Sequence, residues 1–135
     1  MFNAYQKTLT ERGIDPEWAY ILTASASIES AYGHSLGAHY NYGGVKVTDG
    51  QRKKGIPHMW SMTPDWLKDE NGNLYIKRRM QPFRAYSSIE DYCNRVITLL
   101  SNSRYNMFNR YNPHEYVKTW YHILDSGYAK SDYNN

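Results

Sequence analysis

The stretch Ile21–Lys46, ILTASASIESAYGHSLGAHYNYGGVK, constrains this chain more than any other. Its first part is apolar and rich in small residues, with Ala24, Ser25, Ala26 and Ser27 in a row. Trp18, Ile21, Leu22, Ser25 and Ile28 recur at helical spacing and predict one buried stripe. Asp15-Pro16 gives the start signal: aspartate caps a helix, and proline suits the first helical position, where no amide donor is needed. After Gly33 the sequence is too glycine-rich to be regular throughout, so the helix must stop there. A single carboxylate, Glu29, sits in its last turn beside the stripe.

The C-terminal end of a helix carries partial negative charge, which disfavours a carboxylate, and partial burial disfavours it too. Both effects raise the pKa and keep the proton on at neutral pH, as a general acid requires. A surface glutamate, or one bonded to nearby backbone amides, fits the same position without any chemistry.

The rest of the chain reads as walls around that stretch. Phe2 to Arg12 predicts a short helix stopped by Gly13. Val45-Lys46-Val47 opens a strand, and Thr48 to Gly55 reads as a polar loop. Ile56–Thr63 and Leu74–Phe83 alternate, with Asn71-Gly72 as the turn between them. They predict a small antiparallel hairpin or three-stranded lobe with a basic outer face, and Asp65, Asp69 and Glu70 near its tip. Ser87-Ser88-Ile89-Glu90 has the capping-box form, serine three residues before glutamate. The helix behind it buries Ile89, Tyr92, Cys93, Val96, Ile97 and Leu100. Asn112-Pro113 starts a last helix through Tyr116, Val117, Trp120, Ile123 and Leu124, with Gly127 past its end. Helices, a β insertion and helices again make an α+β layout in a single domain, with the β lobe at about residues 45–83. A cleft between the lobes would have Glu29 on its helical wall.

Composition narrows the function classes. With 135 residues, 41% of them hydrophobic, the chain has material for one real core. Fourteen tyrosines and four tryptophans supply flat amphipathic rings that suit carbohydrate surfaces as well as cores. The net charge is only +3, and the clusters Arg52-Lys53-Lys54 and Lys77-Arg78-Arg79 are short. They suit an anionic polymer such as a bacterial wall, and no nucleic-acid motif accompanies them. The one cysteine, Cys93, allows no internal disulfide and reads as a buried thiol. The five histidines lack zinc spacing, so neither metal nor cofactor is expected. No signal-peptide hydrophobic region opens the chain and no apolar run spans a bilayer, so a soluble monomer without membrane insertion is expected.

Four segments, Ile28–Gly33, Asn41–Lys46, Phe83–Ser88 and Gly127–Asp132, in that order, resemble the glucosaminidase family of peptidoglycan hydrolases (glycoside hydrolase family seventy-three), which has a lysozyme-like fold. Ile28-Glu29-Ser30-Ala31-Tyr32-Gly33 resembles the family's Leu-Glu-Ser-Gly-Trp-Gly. Asn41-Tyr42-Gly43-Gly44-Val45-Lys46 resembles its Asn-Leu-Phe-Gly-Ile-Lys. Phe83-Arg84-Ala85-Tyr86-Ser87-Ser88 matches its Phe-Arg-x-Tyr-x-Ser. Gly127-Tyr128-Ala129-Lys130-Ser131-Asp132 resembles its Gly-Tyr-Ala-Thr-Asp. Thr63-Pro64-Asp65-Trp66 fits a fifth pattern, Thr-x-Glu-aromatic, with Asp in place of Glu. Gly43 departs from the family's phenylalanine, and Lys130 from its threonine.

The resemblance implies an endo-β-N-acetylglucosaminidase that cuts the β-1,4 bond after N-acetylglucosamine in bacterial peptidoglycan. Glu29 becomes the general acid, Asp65 the second carboxylate (with Asp69 and Glu70 as rivals) and Tyr128 a cleft residue beside the acid. Tyr32, Asn41, Tyr42, Trp60, Trp66 and Tyr86 are the expected sugar contacts, although Asn41 suits a loop-pinning role and the aromatics suit core packing equally well. Water activation with inversion and attack by the substrate's own acetamido group both remain open. The alternatives are a muramidase or lytic transglycosylase of the same fold, and a non-catalytic wall-binding module. Action on the cell wall is expected, as a phage component or as a protein exported by a route this sequence does not encode.

Overall fold

The computed structural model describes residues 1–34 and 36–125. The elements run α1 (Phe2–Glu11), α2 (Trp18–Glu29), α3 (Asp49–Lys53), β1 (His58–Lys68), β2 (Leu74–Arg84), α4 (Ile89–Ser101), α5 (Met107–Arg110) and α6 (Tyr116–Asp125). The α+β layout read from the sequence is the one observed.

One core holds the helical lobe. Tyr5 and Leu9 of α1 meet Trp18, Ile21, Leu22 and Ala26 of α2 and Tyr92, Cys93, Val96, Ile97 and Leu100 of α4, with Met107 of α5 closing the cluster. Each large aliphatic side chain buried this way contributes on the order of 1.5–3 kcal/mol. Cys93 is part of this core, where burial pushes its thiol up to about 12. The Arg12 guanidinium locks the end of α1 onto α4 through Thr98 Oγ1 at 3.0 Å and Asn94 Oδ1 at 2.8 Å.

Helix starts differ from the sequence reading in instructive ways. Asp15 Oδ1 accepts the Glu17 amide at 2.9 Å, but α2 proper begins only at Trp18. Trp18, Ala19 and Tyr20 each donate to the carbonyl three residues back, so the first turn is tight and 3₁₀-like. The N-cap of α4 is Ser88, one residue later than the Ser87–Glu90 spacing predicts, and the carboxylate at N3 bonds the residue ahead of the cap instead of closing a full capping box. Ser88 Oγ accepts the Asp91 amide, and Asp91 reaches back to the Ser87 amide, each at 3.0 Å. Asp91 also pairs with Arg95 one turn on, at 3.0 Å. Thr48–Gly55, expected as a loop, contains α3: Thr48 and Gln51 form a full capping box that holds one short helix. The last helix starts at Tyr116 rather than Asn112-Pro113, because Asn112 Oδ1 accepts the His114 amide in a turn ahead of it.

β1 and β2 pair in register over their whole length, His58 opposite Arg84 and Lys68 opposite Leu74. Asp69 and Asn73 close a tight loop whose Gly72 has φ +81°, the left-handed geometry that the Asn-Gly signal anticipated. The lobe is a two-stranded ribbon, joined at its base by a single bridge from Lys46 to Phe83. Each 11-residue strand extends about 37 Å at the usual rise per residue.

Candidate active site

Glu29 is the last helical residue of α2 and is half-buried. Behind it the chain reverses in a Schellman arrangement: Tyr32 N–H donates to Ser27 O at 2.7 Å and Ala31 N–H to Ile28 O at 3.3 Å. Such a cap wants glycine, yet Ala31 and Tyr32 hold it at φ +49° and +58°. Buried Ser30 reinforces the turn, its Oγ donating to Ala26 O at 2.7 Å and accepting the Gly33 amide at 2.9 Å. The helix therefore ends at Glu29 itself, not at Gly33, and the carboxyl stands at the negative pole of α2 on a tightly bonded backbone.

The reversal leans on the next motif. A Cβ on Gly33 would lie 3.9 Å from the Tyr42 ring. Tyr42 packs edge-on against Tyr92 of α4 at 5.5 Å between ring centres, and Tyr86 does the same from another side at 5.2 Å. Asn41, 2% exposed, spends its carboxamide on backbone: Nδ2 donates to Val45 O at 2.7 Å and Arg84 O at 2.9 Å, and Oδ1 accepts the Val45 amide at 3.0 Å. It ties the loop to the end of β2 and has little left to offer a sugar. Gly37 is required for the same packing, since a Cβ there would come within 2.8 Å of the buried Phe83 ring.

Between this loop and the base of β1 lies an open depression of about 340 Å³, lined by Leu36, Ala38, His39, Tyr40, Tyr42 and Met59. Of these only Tyr42 was singled out in the sequence; Tyr40 and Met59 carry no signal beyond standing near a motif and in a strand. Met59 shares its hairpin face with Ser61, Thr63 and Asp65. Thr63 Oγ1 accepts from Gln81 at 2.8 Å, and Asp65 pairs with Arg79 at 3.1 Å. Asp65 lies six residues from Met59, about 20 Å along the strand. Asp69 is spent on the turn, its Oδ1 accepting the Asn71 and Asn73 amides at 2.9 Å each. Glu70 is exposed at the tip.

The remaining expected sugar contacts scatter. Tyr32 is 80% exposed beside Glu29, whereas Tyr86 is buried. Burial pushes the Tyr86 hydroxyl up to about 12. Trp60 and Trp66 are on the opposite hairpin face from Met59 and Asp65, and the Arg52 guanidinium lies 5.1 Å over the Trp60 ring. Tyr128 lies outside the described residues. Among the described residues, no group of three His, Cys, Asp or Glu could hold a metal ion.

A helical lobe that ends α2 on a half-buried carboxyl, with a two-stranded hairpin between its helices, makes a lysozyme-like α+β layout. The chain matches the glucosaminidase family model, described as mannosyl-glycoprotein endo-beta-N-acetylglucosaminidase, over residues 2–135, and belongs to that family. It is similar in fold to a peptidoglycan hydrolase mutant from Sphingomonas sp. A1, with a TM-score of 0.64 and 23% identity over 98% of this chain and 81% of that one. It is also similar to a C-terminally truncated glycoside hydrolase domain of Salmonella typhimurium FlgJ, with a TM-score of 0.63 and 25% identity over 97% of this chain and 82% of that one. No curated protein matches it by sequence.

Proposed function

We propose that the protein is an endo-β-N-acetylglucosaminidase of bacterial peptidoglycan, with Glu29 as general acid. The observation that carries this reading is the placement of Glu29: half-buried, last in α2, on a backbone fixed by the Schellman turn. A sugar oxygen is a poor leaving group until it gains a proton, and a carboxyl held at a helix's negative pole is suited to give one. Peptidoglycan as substrate is supported by the family and by the peptidoglycan hydrolase of similar fold.

The second half of the reaction falls to Asp65 or to the substrate's acetamido group. Asp65 is the hairpin carboxylate on the same face as Met59, and Arg79 balances its charge. In the first case Asp65 would activate the attacking water. In the second, attack by the acetamido group would give Tyr128 the task of positioning it. Digestion of purified peptidoglycan, borohydride reduction and mass spectrometry test the bond. Reduced N-acetylglucosamine ends are expected; reduced muramic ends would make the enzyme a muramidase, and anhydro-muramic ends a lytic transglycosylase.

A further inference from the structure

The hairpin face that turns away from Met59 and Asp65 is mostly apolar. Trp60, Met62, Trp66, Leu74, Ile76 and Met80 share it, each between 41% and 56% exposed. A ribbon this apolar and this exposed marks a contact surface. Its charge points to the partner. Of the hairpin's cations, Lys68, Arg78 and Arg84 stand on this face, and no Asp or Glu does. Arg78 stands in the middle of the apolar face opposite Pro64, and Lys68 stands near its end.

We propose that this face docks on an anionic phospholipid surface. The other occupants fit less well. A two-stranded ribbon about 37 Å long and about 10 Å wide offers roughly 400 Å², half of what a stable protein interface uses on each side. Stacking two copies of the face about its centre would also set Arg78 against Arg78. Strand addition to β1 or β2 is hindered by Pro64 and Pro82, which cannot donate. Glycan strands stack on rings, but Met62, Leu74, Ile76 and Met80 present none, and Trp60 and Trp66 stand about 20 Å apart along the strand. A lipid surface takes up each apolar side chain separately and is drawn by the surrounding cations. The open strand edges confine the ribbon to the headgroup region, where tryptophan is favoured. No helix among the described residues is long and apolar enough to cross a membrane, so the contact lies on the surface. The face with Asp65 would then turn away from the bilayer.

The experiment is flotation of the whole chain with vesicles of equal parts phosphatidylglycerol and phosphatidylcholine, beside vesicles of phosphatidylcholine alone. Co-flotation with the anionic vesicles is expected, weakened by salt and accompanied by a blue shift of tryptophan emission. The double variant Ile76→Ser/Met80→Ser should bind about tenfold more weakly or worse. Arg78→Glu, which removes no apolar surface, should lose about tenfold. Circular dichroism melts establish that both variants fold, and their hydrolysis of soluble wall fragments should match wild type. No flotation, or equal flotation of the double variant, overturns the proposal. A dimer abolished by Ile76→Ser/Met80→Ser would give the face to a second copy, and wall binding lost in that variant would give it to glycan. The vesicle result needs no catalysis, so it stands or falls apart from the glucosaminidase reading.

Discussion

At the scale of single residues, the two positions behind Glu29 carry an unusual conformational load. Ala31 occupies the cap position where the family motif has glycine, and it does so at φ +49°. Left-handed backbone costs an L-residue on the order of 1–2 kcal/mol. Ala31→Gly should therefore stabilise the fold by about 1 kcal/mol, raising the melting midpoint by about 3 °C. A thermal melt checks this, and a lowered midpoint would mean that the alanine methyl contributes packing worth more than the strain. Asn41 is the opposite case, a buried side chain with three backbone bonds. Asn41→Ala should cost about 2 kcal/mol, because the Val45 amide and the Arg84 carbonyl lose their partner, while the Val45 carbonyl keeps the Arg84 amide. Denaturant unfolding reads that loss; a cost within a few tenths would show that another group or water takes over.

Among the elements, α4 links the core to the loop ahead of it through Asp91. Burial alone would raise the Asp91 pKa, but the Ser87 amide and the Arg95 guanidinium outweigh it and hold it below the usual carboxylate range. A depressed folded pKa gives stability that is present above the unfolded value of about 3.9 and lost as pH falls through the folded value. Asp91→Asn should cost about 1 kcal/mol near pH 6, and that difference should shrink as acidification protonates the folded-state carboxylate. Melts across that range check the sign; a difference that grows in acid would contradict it. The same helix shows what the sequence could reveal. Its apolar stripe was legible, but its cap was read one residue early, at Ser87 with Glu90 rather than at Ser88 with Asp91. The box of Thr48 and Gln51 was equally local and could have been found, whereas α5 depends on Met107 reaching the core formed by distant helices.

For the whole molecule, the two-lobe layout could be read because α2 and the hairpin each declare themselves within a few residues. The distribution of the hairpin's side chains could not. Alternation predicts two faces but not which one meets the depression, and that is set by the bridge from Lys46 to Phe83 and by Gly37 against the Phe83 ring. Register then puts Asp65 on the face with Met59 and the two tryptophans on the other, dividing residues that the motifs alone had grouped in one site. The basic outer face expected of this lobe proves to be an apolar one studded with cations. Glu29 was readable as a residue, and its role depends on the lobes around it. The most direct test is the rate at which Glu29→Gln digests purified peptidoglycan beside wild type, with matched circular dichroism melts. A loss on the order of 10²–10⁴-fold in a folded variant is the predicted result. Undiminished hydrolysis by Glu29→Gln would remove this carboxyl as the acid and contradict the account.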